Sequence, residues 1–73
     1  IYPNPVSDVL HIDLPFEGEA QIRLVDVQGR IVINEETYTS QNSYPVNTIE
    51  SGLYILEVVT EGMHRTYKIK INH

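Results

Sequence analysis

The chain has 73 residues, no cysteine, and ten Asp and Glu against five Lys and Arg, a net charge of −5. A domain of this size buries only about 60% of the surface its unfolded chain exposes. The missing cysteines exclude disulfide staples, a thiolate zinc site and a cysteine nucleophile, and the acidic balance argues against nucleic acid as a partner.

The opening Ile1-Tyr2-Pro3-Asn4-Pro5 has neither the basic start nor the apolar core of a signal peptide, and no later run reaches the ~20 apolar residues of a membrane-spanning helix. The chain therefore reads as one domain over residues 1–73, cut from something longer, and if it is exported an N-terminal signal must lie upstream. Asn4 between two prolines is biased toward extended backbone and suits a stiff connection to a preceding domain.

Residues 8–14 set Leu10, Ile12 and Leu14 on one parity and Val9, His11 and Asp13 on the other, a half-buried strand that ends at Pro15. Ala20, Ile22 and Leu24 repeat the pattern opposite Gln21 and Arg23, and the strand runs through Val25-Asp26-Val27 into a turn at Gln28-Gly29. Gly29 tolerates positive φ, and residues 30–36 resume with Ile31 and Ile33 on one face, which predicts a hairpin. The polar stretch 37–44 is expected to be a loop or a weak edge strand, and residues 46–49 one more short strand before the break at Glu50-Ser51-Gly52.

Residues 53–60 carry apolar side chains on both parities, with Tyr54, Leu56 and Val58 on one and Leu53, Ile55 and Val59 on the other, so this is the expected central strand. After a turn at Glu61-Gly62, Arg65, Tyr67, Ile69 and Ile71 alternate with Thr66, Lys68, Lys70 and Asn72 in a closing amphipathic strand. Arg65, Lys68 and Lys70 make this last segment locally basic on an acidic chain. With no sustained helical period, about six or seven short strands predict an all-β, antiparallel, immunoglobulin-like sandwich with Leu10, Ile12, Ile22, Leu24, Tyr54, Leu56, Val58 and Ile69 inside.

No arrangement of residues supplies chemistry, so neither a catalytic residue nor a cofactor is expected. A sandwich this small leaves little interior for a substrate cleft, and its carboxylates read as solvated surface groups. His11 and Asp13 share a strand face but are too few for zinc, and no Asp-rich loop matches a calcium site, so no metal is expected either. No G-x-S-x-G elbow surrounds any serine. Tyr54 and Tyr67 fall on the inward parity of their strands, which leaves Tyr2, Tyr38 and Tyr44 for any contact surface.

Four segments in one order carry a resemblance: Tyr2-Pro3-Asn4-Pro5, Leu24-Val25-Asp26-Val27-Gln28-Gly29-Arg30, Ser51-Gly52-Leu53-Tyr54, and the closing Tyr67-Lys68-Ile69-Lys70-Ile71. Over nearly its whole length the chain resembles the type IX secretion (Por secretion system) C-terminal sorting domains, type A, of Bacteroidetes. Ile49 stands where members of that family often carry Leu. The resemblance implies a domain that ends a secreted protein and is recognised by the outer-membrane translocon. It also implies removal by a sortase component that anchors the N-terminal passenger at the cell surface, with the processing site at or before Ile1. It marks Pro3, Asn4, Pro5, Asp26, Gly29, Arg30, Gly52 and Tyr54 as motif residues. The terminal strand, with Lys68, Ile69, Lys70 and Ile71, becomes the expected recognition element: a terminal strand often forms a sheet edge, where a partner strand can add. The competing reading is a carbohydrate-binding or adhesive sandwich, for which a chain with no Trp and one Phe offers little stacking surface.

Overall fold

Alternating side chains and short turns carry this chain into strands throughout. The computed structural model describes residues 5–15 and 18–73, and no helix occurs among them. The strands are β1 Val9–Asp13, β2 Ala20–Asp26, β3 Ile31–Thr37, β4 Gln41–Pro45, β5 Gly52–Thr60 and β6 Met63–Ile71. They form two antiparallel sheets, a two-stranded β1-β4 pair and a four-stranded sheet in the order β3-β2-β5-β6. Pro3 and Asn4 lie outside the described residues, as does Tyr2.

The inward parity of each strand supplies the core. Leu10 and Ile12 from β1 meet Ile22 and Leu24 from β2, Tyr54, Leu56 and Val58 from β5, and Ile69 and Ile71 from β6, all buried. Val6 and Val46, from the connections flanking the small sheet, are fully buried with them. All eight residues expected inside are inside, and β5 is a central strand, flanked by β2 and β6.

The polar stretch after β3, expected as a loop or a weak edge strand, is an edge strand: it forms β4, which pairs with β1 from Val9–Pro45 to Asp13–Gln41. Three other expectations need correction. The expected strand at residues 46–49 is instead a turn, in which the Ile49 amide bonds the Val46 carbonyl and the Val46 amide bonds the Asp8 carbonyl. Burial of Val46 gave that stretch its strand-like apolar signal.

Ile31 and Ile33 do not share a face. A register shift at Leu24/Val25 pairs Ile33 with inward Leu24 but Ile31 with outward Val25, and Ile31 is 51% exposed. A bulge beside a hairpin turn has this effect, because the extra residue reverses the parity of those beyond it.

Tyr67 and Arg65 stand on the inward parity of β6 yet are exposed, Tyr67 at 40%. The β1-β4 pair, with five residues in each strand, is too small to cover the inner face of a sheet whose β5 and β6 have nine. Cover runs diagonally from the Thr37 corner, where Thr37 Oγ1 donates to Asn42 Oδ1 at 2.6 Å, to the Ile71 corner, where Val6 bridges β6. The amino-terminal half of β6 lies beyond it. There Tyr67 and Arg65 line an open notch of about 450 Å³ with Ile12, Leu14 and Met63.

Leu56 is fully buried on the central strand, between Leu24 and Tyr67 in register. Leu56→Ala is expected to cost about 2–5 kcal/mol, a large part of the roughly 5–15 kcal/mol that stabilises a typical domain. Urea denaturation checks it: the midpoint falls while the slope stays unchanged.

Candidate functional site

The motif and recognition residues are spread from position 3 to position 71, but the described ones gather at one end of the sandwich. The end of β2, the start of β5 and the end of β6 meet there: Asp26 pairs with Tyr54, Tyr54 with Ile69, and Gly52 with Ile71.

Asp26 builds the β2-β3 turn. Its Oδ1 accepts the Gln28 and Arg30 amides, each at 2.9 Å, and its Oδ2 accepts Arg30 Nε at 2.8 Å. The Gly29 amide bonds the Asp26 carbonyl at 3.0 Å and the Asp26 amide bonds the Arg30 carbonyl at 2.9 Å. A short carboxylate fits because one group satisfies two turn amides and a guanidinium at once. Gly29 closes the turn at φ +87°, a left-handed conformation that costs other residues roughly 1–2 kcal/mol. The Arg30 backbone N–H, with its side chain and the Gln28 amide, holds the Asp26 carboxyl below its ordinary value of 3.8 against an opposing effect of burial.

The start of β5 is fixed in a comparable way. Gly52 has φ +157°, and an added Cβ would find only ordinary contact with the Tyr54 ring, so the backbone angle rather than space calls for glycine. Tyr54 buries its ring, 6% exposed, and its hydroxyl donates to the Glu50 carbonyl at 2.5 Å. Burial, and after it the negative charges of Glu50 and Asp26, raise the Tyr54 phenol above its ordinary value of 10.0, and Arg30 opposes them. Ile49 packs against the core from the connection before β5.

The end of β6 is tied from two sides. The Val6 amide bonds the Lys70 carbonyl and the Asn72 amide bonds the Val6 carbonyl, both at 2.8 Å, so the segment after Pro5 runs parallel to Ile71. His73 then donates its backbone N–H to Ser51 Oγ at 3.1 Å and its Nε2 to the Ile49 carbonyl. Sequence reading missed Val6 and His73 as parts of this end, and placed Ser51 only within the Ser51–Tyr54 segment. Val6 had a signal, an apolar residue just past a proline, but its partner lies at the other terminus.

On β6 itself, Ile69 and Ile71 are buried at 1% exposure each, while Lys68 and Lys70 are exposed on the opposite face. The expected recognition residues thus divide into two anchors and two presented cations. β6 is an edge of the four-stranded sheet, with Val6 covering its C-terminal end.

Among the described residues, no group of three or more His, Asp or Glu side chains converges as metal ligands. His11 instead bonds Ser43 across β1-β4 at 2.9 Å. The exposed ring of Tyr38 follows β3 and donates to Glu36, Tyr44 packs against the core from β4, and Tyr67 is on β6. These rings sit on separate elements, and nothing here favours the carbohydrate-binding reading.

The distinctive residues of this small antiparallel sandwich fix its own turns and its terminal strand. The chain belongs to the family of secretion system C-terminal sorting domains, whose model matches residues 1–72. It is a sorting signal for type IX secretion, and the protein that bears it passes the outer membrane to the cell surface or the medium. Members of this family act as signals and are not known as enzymes. No curated protein matches the chain.

Two titrations test this end of the domain. Tyr54→Phe is expected to cost about 1 kcal/mol near neutral pH through the lost bond to Glu50. The raised phenol favours the folded state below pH 10.0 and loses that effect as pH rises through the folded value, so alkaline destabilisation should weaken in the variant. The lowered Asp26 carboxyl works in the opposite direction. Its contribution is full above pH 3.8 and disappears as pH falls through the folded value, so wild type and Asp26→Asn should converge in acid. Chemical denaturation across pH checks both.

Proposed function

We propose that these 73 residues form the C-terminal domain of a longer secreted protein, and that the outer-membrane translocon reads its terminal strand. Lys68 and Lys70 make contact, and Ile69 and Ile71 hold the strand in place. The observation that carries this reading is the division of β6: buried isoleucines alternate with exposed lysines on an edge strand. Buried anchors fix the strand's position, and lysines on an edge discourage indiscriminate pairing while remaining attractive to an acidic receptor. The domain performs no chemistry of its own. After translocation a sortase component separates it from the passenger, which is attached at the cell surface.

Deletion of residues 68–73 is a poor test, because it removes Ile69 and Ile71 from the core and leaves Val6 without its backbone partners. Charge reversal is cleaner. With the chain fused behind an enzyme that carries its own signal peptide, Lys68→Glu combined with Lys70→Glu is expected to trap the passenger in the periplasm. The variant domain should keep its circular dichroism and melting transition, and passenger turnover should be unchanged. Normal surface delivery of the folded double variant would remove the lysines from the signal.

A further inference from the structure

The four-stranded sheet has an outer face, turned away from β1 and β4, that is apolar at one end. Register aligns Ile31, Val25, Ile55 and Lys68 across β3, β2, β5 and β6, and sets Leu53 beside Lys70 in the next outward rank. Leu53 is 60% exposed, Ile31 51% and Ile55 37%. Val27, at the tip of the adjoining hairpin, is also exposed. Isolated exposed aliphatics are ordinary, whereas neighbours in register form a contiguous patch of the kind that marks an interaction site. Strand propensity accounts for the β-branched members but not for Leu53, the most exposed aliphatic of the two ranks.

The patch has defined margins. Toward the middle of the sheet a polar rank begins, in which Glu57 faces Arg23 Nε at 3.6 Å and His64 Nε2 at 3.2 Å. Along β6 the margin is Lys68 and Lys70, two of only five Lys and Arg residues in a chain of net charge −5. Along the β6 margin, therefore, the bordering side chains oppose the charge of the whole domain.

We infer that this outer face is a docking surface for a protein segment that presents aliphatic side chains with carboxylates along one margin. The inference rests on the reading of Lys68 and Lys70 as recognition residues and extends their site from a strand edge to a sheet face. Charge selects the occupant. A second copy of the chain would bring another body of net charge −5. An anionic membrane surface would repel the same net charge, and two lysines fall short of the basic cluster such binding uses. A partner whose aliphatic stripe is edged by Asp or Glu meets both the apolar ranks and the lysine margin, and steers onto the face.

The test uses the chain fused to a reporter passenger in cells that export it. Leu53→Thr with Ile55→Thr keeps strand propensity and leaves the core intact. Removing apolar contacts of this kind weakens docking by about tenfold or more, so surface delivery should fall by a similar factor, with Ile31→Thr as an independent variant. A benzophenone side chain at position 55 should cross-link to a protein segment containing aliphatic residues beside Asp or Glu. The same group at exposed Thr39, at the other end of β3, should not. Normal export of the folded Leu53/Ile55 variant overturns the docking face; if Lys68→Glu with Lys70→Glu still blocks export, the terminal-strand reading survives alone. A position-55 adduct with a second copy, with the passenger or with lipid also overturns it.

Discussion

A small sheet covers part of a large one, and most of the architecture follows from that mismatch. The five-residue strands β1 and β4 lie over the four-stranded sheet from the Thr37 corner to the Ile71 corner. Twisted sheets pack with their strands inclined at about 30°, so a narrow sheet covers its broader partner along a diagonal. Inward positions beneath the diagonal become core. Those beyond it, Arg65 and Tyr67, face an open notch although their parity points inward.

At the Ile71 corner the same geometry draws distant segments together. The residues that set the backbone there, Asp26 and Gly29 in one turn and Gly52 at the start of β5, are not interchangeable with neighbours of similar polarity. One supplies a carboxylate with three donors around it, and the others adopt positive φ. The terminal strand rests on this corner through Tyr54–Ile69 and Gly52–Ile71 pairing, and Val6 closes over its end. Both ends of the described chain therefore meet at one corner. A strand that belongs to the signal is held by the segment that leads into the domain, so its presentation depends on the fold as a whole.

The chain is a sorting signal carried as a folded domain. The family match gives the role. The surface the fold presents includes β6, divided between buried isoleucines and exposed lysines, and an apolar outer face beside those lysines on an otherwise acidic domain. With no disulfide to constrain the unfolded chain, that surface depends on packing of a single modest core.

Parity along the strands was enough to find the eight core positions, the central place of residues 53–60, the Asp26–Gly29 turn and the alternation of Ile69 and Ile71 with the two lysines. These are local properties, because side chains alternate every second residue and turn chemistry lies within four. The motif residues were legible too, as members of a family pattern, but not their convergence. Pairing of β4 with β1, the reversal of Ile31 by a bulge, the bridge between Val6 and Ile71 and the exposure of Tyr67 were decided only in three dimensions. Each depends on what faces a strand from across the sandwich or from its neighbour in the sheet, and alternation records which way a side chain points without recording whether anything is there to meet it.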